Sequence, residues 1–166
     1  MVSKPVLLEL FQSGEFDIVH FAGHAFFNPA RPAQSGIIAG RGAVVMGSDL
    51  ASLSQLPALI FVNACEAGRV RKRGGSARPS QAAAGAGVAE AFLRGGVANY
   101  VSTYWPVGDT SASVFARVFY RHLLDGASIG TALLRGRIEV AKLGSADWAD
   151  YMHYGDFNFR LKMPSR

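Results

Sequence analysis

Phe16-Asp17-Ile18-Val19-His20-Phe21-Ala22-Gly23-His24 is an apolar, β-branched run that ends on a glycine and a histidine. A second run of the same kind follows, Leu59-Ile60-Phe61-Val62-Asn63, and leads straight into Ala64-Cys65-Glu66-Ala67-Gly68. Both read as buried strands, the first over 16–22 and stopping at Gly23, with His24 just past its end. Near-continuous apolar strands belong in a parallel sheet covered on both faces.

Outward from these two runs, helices and strands alternate. Residues 6–11 carry a short helical pattern stopped by Ser13-Gly14. Residues 28–35 are loop, marked by Pro29 and Pro32, and residues 36–39 and 43–46 flank Gly40-Arg41-Gly42 as a small hairpin. Ser48-Asp49 caps a short helix through Leu53. After a Gly/Ser/Arg/Pro-rich loop over 68–80, a small-residue helix spans 81–94 and ends at Gly95-Gly96. A third strand covers 97–104 and is broken by Trp105-Pro106-Val107-Gly108-Asp109. Thr110 caps a helix bearing Val114, Phe115, Val118, Phe119 and Leu123, Ser128 starts another, and a last strand is expected over 157–163. The expectation is one α/β domain over 1–166: three layers, with a mostly parallel central sheet between helices. In such sheets reactive groups gather where strands end at their carboxyl edge. Gly23-His24, Asn63-Ala64-Cys65 and the turn from Trp105 to Asp109 all fall there.

Composition bounds the function. Hydrophobic residues make up 49% and charged residues 17%, so the chain can build a core. Its longest apolar runs are too short to cross a bilayer, and Met1-Val2-Ser3-Lys4-Pro5 lacks the plan of a signal peptide. A single cysteine forms no internal disulfide, which fits a reducing, cytoplasmic compartment. The net charge of +5 is uneven: Arg69, Arg71, Lys72, Arg73 and Arg78 crowd one loop with no aromatic side chains between them. That reads as a solvated basic loop rather than a nucleic-acid platform, and no membrane partner is expected.

A thiol becomes a nucleophile when an imidazole takes its proton or stabilises the thiolate. Cys65 and His24 occupy matching places at two strand ends, so neighbouring strands would open both side chains onto one crevice. Backbone N–H groups at Cys65 and around Gly23 and Ala25 are candidate oxyanion donors. The bland alternative is a buried core cysteine and a satisfied surface histidine. His20 reads as packed within its strand, His122 as solvated or capping, and His153 as ambiguous. No CxxC or HxxxH spacing supports zinc, and no metal or other cofactor is expected.

These segments resemble CHAT domains, a branch of the caspase/separase clan of cysteine peptidases. Residues 16–24 are similar to the family's histidine segment and 59–68 to its cysteine segment. The following helix, strand and Trp105-Pro106-Val107-Gly108-Asp109 turn match in order, as do Phe119 to Leu124, Trp148-Ala149 and Tyr154-Gly155-Asp156. The resemblance implies a bacterial, intracellular cysteine endopeptidase with His24 as base and Cys65 as nucleophile, acting on a protein or peptide and governed by a regulatory domain or partner. It further implies a basic P1 residue received by Asp109, with Glu66 a second candidate acid and Trp105 beside the pocket; capping of the next helix is the other role open to Asp109. A catalytically silent interaction module is the alternative. The sequence departs from the family at Ala25, where glycine is usual, and at Phe157, where proline is usual. Clan members also carry two strands before the histidine strand. The chain therefore reads as a domain lacking its first strands, with the histidine strand a bare sheet edge: either it is a fragment, or a partner chain or second copy covers that edge.

Overall fold

The computed structural model describes residues 2–26, 28, 30–66 and 81–162, with the backbone alone at 32, 64–66 and 81–86. The basic loop expected over 68–80 lies outside the described residues. The protein is α/β, as expected, and its contacts divide it into two compact units, Met1–Pro106 and Val107–Arg166.

In the first unit, α1 (Lys4–Gln12) begins two residues before the expected start, because Pro5 is tolerated in a first helical turn. It buries Leu7 and Phe11, one turn apart. β1 (Ile18–Phe26) is followed by β2 (Gly36–Ile38) and β3 (Val44–Met46), then α2 (Gly47–Leu50), β4 (Leu59–Glu66), α3 (Gln81–Arg94) and β5 (Asn99–Thr103). Within this unit the strands lie in the order β3-β2-β1-β4-β5. The centre is parallel, β1 with β4 and β4 with β5, while β2 joins β1 and β3 antiparallel. The sheet is therefore mixed.

Leu59, Ile60, Phe61 and Val62 are at most 1% exposed on either alternation, which only a sheet covered on both faces allows. Each such side chain stabilises the fold by roughly 1.5–3 kcal/mol. The start of β4 is pinned on both sides, by Leu59 N–H donating to the Asp17 carbonyl at 3.1 Å and by Asn99 Nδ2 donating to the Ala58 carbonyl at 3.2 Å. The hairpin forms where expected. Its turn passes through the left-handed region at Arg41 (φ 59°) and Gly42 (φ 75°), the second of which glycine accepts without strain.

Three expectations need correction. β1 runs on to Phe26, so His24 lies inside the strand and not past its end; antiparallel pairing with β2 at residues 24–26 continues the ladder beyond Gly23. For the same reason β1 is not a sheet edge: β2 covers it alongside His24, Ala25 and Phe26. α2 starts at Gly47, and Asp49 is not its cap but its third residue, with Oδ2 accepting the Met46 N–H at 2.7 Å and pairing with Lys4 at 2.7 Å. A Cβ at Gly47 would run into the Ala91 carbonyl, so glycine is what lets α2 and α3 approach.

The second unit holds α4 (Asp109–Leu124), α5 (Ile129–Ala141), a 3-10 turn (Ala146–Ala149) and β6 (Tyr151–Tyr154). Ser128 caps α5 as expected, its hydroxyl accepting the Thr131 N–H at 3.2 Å. The Phe115 and Tyr151 rings stack with centroids 3.4 Å apart, and the Phe115 ring also packs against Gly136. The expected last strand over 157–163 is not formed in its described part. The Phe157 and Phe159 carbonyls instead accept the N–H groups of Gly130 and Ile129, orphan donors at the start of α5.

Candidate active site

β1 and β4 are adjacent and parallel, and their register places His24 level with Cys65. Gly23 is level with Ala64, and Ala25 with Glu66. Two rungs earlier, His20 is level with Phe61, and their rings stack at 4.5 Å with planes 14° apart. Register partners on this pair of strands thus share a sheet face. The alternation of period two carries that face through the Ala22/Asn63 rung to positions 24 and 65. Parallel strands lie about 4.8 Å apart, so positions 24 and 65 are separated by a single inter-strand step.

On β1 this face is open: His20, Ala22 and His24 are all exposed. The opposite face is more covered, with Ala25 buried and Val19 and Phe21 half-buried, though Gly23 is exposed. A Cβ at Gly23 would fall 2.8 Å from Phe21 Cζ, so the glycine before His24 makes room for the ring of Phe21. Ala25 keeps an ordinary strand conformation: among the described residues Arg41 is the only non-glycine with positive φ. Replacing the family's usual glycine by alanine therefore introduces no backbone strain at that position.

The loop after β1 is held by Asn28. Its Oδ1 accepts the N–H groups of Ala30 and Arg31, both at 3.1 Å, and its own N–H donates to Ser35 Oγ at 3.0 Å. Trp105 follows β5 in the same unit, is exposed, and meets the Tyr104 ring edge-on at 5.8 Å. His20, expected to be packed, has one ring face covered by Phe61, and the resulting desolvation lowers its pKa.

The other candidates fall in the second unit. Asp109 is the first residue of α4, where its charge suits the helix dipole, but Gly108 is the N-cap and Asp109 makes no cap hydrogen bond. The cap is supplied from a distance. Asp147 Oδ2 accepts the Gly108 N–H at 3.2 Å, and its carboxyl is held below the ordinary range chiefly by the Ser111 hydroxyl, with the Gly108 N–H and Ser145 adding to the effect. No local pattern in the sequence announces this residue, which lies 39 positions from its partner. His122 is half-buried near the end of α4. His153 is half-buried in β6, its pKa lowered by burial and partly restored by Asp156. Among the described residues no three His, Cys, Asp or Glu side chains gather to hold a metal ion.

The family model of the CHAT domain matches residues 2–156. The chain belongs to the CHAT domain family. CHAT domains sit in the caspase/separase-like protease clan, and the parallel β1–β4 pair flanked by helices fits that fold. No curated protein matches the chain. Among the described residues no helix of this CHAT domain is long and apolar enough to cross a membrane.

Proposed function

We propose that this CHAT domain is a cysteine endopeptidase in which His24 is the general base and Cys65 the nucleophile. The observation that carries the proposal is the register: on adjacent parallel strands, the histidine and the chain's one cysteine are level. The imidazole takes the thiol proton, and the thiolate attacks the scissile carbonyl. The tetrahedral intermediate collapses to a thioester as His24 returns the proton to the departing amine. Water, deprotonated by His24, then hydrolyses the thioester and regenerates the thiol. The developing oxyanion needs N–H donors. The candidate donors are the N–H groups of Gly23, Ala25 and Cys65, which all lie on the paired stretch of β1 and β4 around the level of His24.

Cleavage after arginine or lysine is the specificity implied by the family resemblance, with Asp109 and Glu66 as candidate acids and Trp105 as an apolar wall. A fluorogenic peptide panel with Arg, Lys or Asp at P1 tests both layers. Turnover of the basic peptides that vanishes in Cys65→Ala and in His24→Ala supports the dyad. Equal turnover in Cys65→Ala, or none in any form, counts for a catalytically silent interaction module. Charge removal at Asp109 or Glu66 is expected to raise KM for basic P1 peptides by tenfold or more, the loss of one charge-assisted contact.

A further inference from the structure

We propose that the sheet face beyond His24, built from Phe26, Ile38, Val44 and Met46, is the subsite that receives the leaving-group side of the peptide substrate and selects apolar residues there. Its part in cleavage rests on the dyad proposed above; the docking of an apolar peptide on that face does not.

The register carries one face of the sheet outward from His24 across two more strands. His24 is level with Ile38 on β2, and Ile38 with Val44 on β3. On the next rung Phe26 is level with Gly36, and Gly36 with Met46. Level residues on neighbouring antiparallel strands share a face. The intervening residues Ala25, Ile37 and Val45 form the other face and are at most 9% exposed. The His24 face is not closed in this way: His24 is exposed, and Phe26, Ile38, Val44 and Met46 are half-buried.

The composition of that face is out of keeping with its exposure. An antiparallel sheet with one face in solvent normally alternates apolar inside with polar outside. Here Ile37-Ile38 on β2 and Val44-Val45-Met46 on β3 are apolar on both faces. The uncovered part of these side chains gains only from something apolar laid against it. α1 also exposes Val6 and Leu10, but no strand register ties those two to His24.

The direction of the reaction says what lies there. Attack from position 65 places the scissile carbonyl carbon on the β4 side, and His24 on β1 gives its proton to the departing amine. The scissile nitrogen is therefore on the β1 side of the carbon, and the chain beyond it, P1′ onward, heads away from β4 toward β2 and β3. Strands stand about 4.8 Å apart, so Ile38 is one step and Val44 two steps beyond His24, ~10 Å in all. An extended peptide rises about 3.3 Å per residue, so P1′ to P3′ span that distance. The four side chains they meet are apolar and uncharged. Leucine, phenylalanine or methionine is favoured on such a surface, and aspartate, which would lose water there without a partner, is rejected.

Methyl NMR on the whole chain reads the docking without any need for turnover. Titration with the tripeptide amide Leu-Phe-Ala should move the methyl signals of Ile38, Val44 and Met46, and the Asp-Glu-Ala amide should not. Val44→Lys should weaken binding of the first tripeptide at least tenfold, whereas Val6→Lys on α1 should leave it unchanged. Among internally quenched peptides alike up to P1, apolar P1′ to P3′ residues should raise kcat/KM at least tenfold over acidic ones. Equal binding of the two tripeptides to the unsubstituted chain, methyl shifts that spare Ile38 and Val44, or cleavage indifferent to P1′ to P3′ overturns the proposal. If no peptide is cleaved while Leu-Phe-Ala amide still moves the Ile38 and Val44 methyls, the dyad fails and the docking face stands.

Discussion

Replacing Phe61 by alanine strikes the rung on which the candidate site stands. The side chain is fully buried in β4, with β1 paired on one side and β5 on the other. Truncating a buried phenylalanine costs about 3–5 kcal/mol, depending on how far the surroundings collapse into the void. Collapse is hindered here because β4 is fixed in both ladders, so a loss no smaller than the middle of that range, about 4 kcal/mol, is expected. For a chain of this size that corresponds to a fall of roughly 8–16 °C in Tm. The same substitution uncovers one face of the His20 ring, which is stacked on Phe61 at 4.5 Å. His20 has its pKa lowered by burial, so its midpoint should rise toward the ordinary histidine value. Guanidinium unfolding measures the first effect and histidine NMR the second. A loss under about 1.5 kcal/mol, or a His20 midpoint that does not move, would refute the view that Phe61 anchors β4 and covers His20.

Gly47→Ala should destabilise by about 1–3 kcal/mol in chemical denaturation, because its Cβ would meet the Ala91 backbone rather than a side chain able to move. Asp147→Ala should cost about 1 kcal/mol through loss of the α4 cap. The pH dependence has a definite sign. The folded carboxyl titrates below its unfolded value, so its contribution is full above the ordinary aspartate range and is lost as pH falls through the folded pKa; acid unfolding of Asp147→Ala should show less of that loss. Ser128→Ala should likewise cost about 1 kcal/mol at the start of α5, visible as a lower denaturation midpoint with unchanged slope.

Much of the first unit was legible because its signals are local. Residues 81–94 show helical composition bounded by two glycines, and α3 occupies that span. Gly40-Arg41-Gly42 marks a turn, and the hairpin forms around it. Boundaries that depend on distant partners were not legible. Gly23 looks like a strand end, yet β2 comes back along residues 24–26 and extends β1 past it. Residues 157–163 look like a strand, yet the Phe157 and Phe159 carbonyls are taken by the start of α5.

The candidate site divides in the same way. The sequence by itself determined that His24 and Cys65 each follow an apolar, strand-forming run, since side-chain periodicity and glycine placement are properties of neighbouring residues. It could not determine that the two strands are adjacent, nor that their register is 24 with 65 rather than a residue to either side. Leu59 to Val62 are apolar on both faces, so a one-residue slip would exchange one apolar side chain for another and leave every local preference intact. Only tertiary contacts settle that register, through the Leu59 N–H bond to the Asp17 carbonyl and the stack of His20 on Phe61, and with it the rung that levels the histidine with the cysteine.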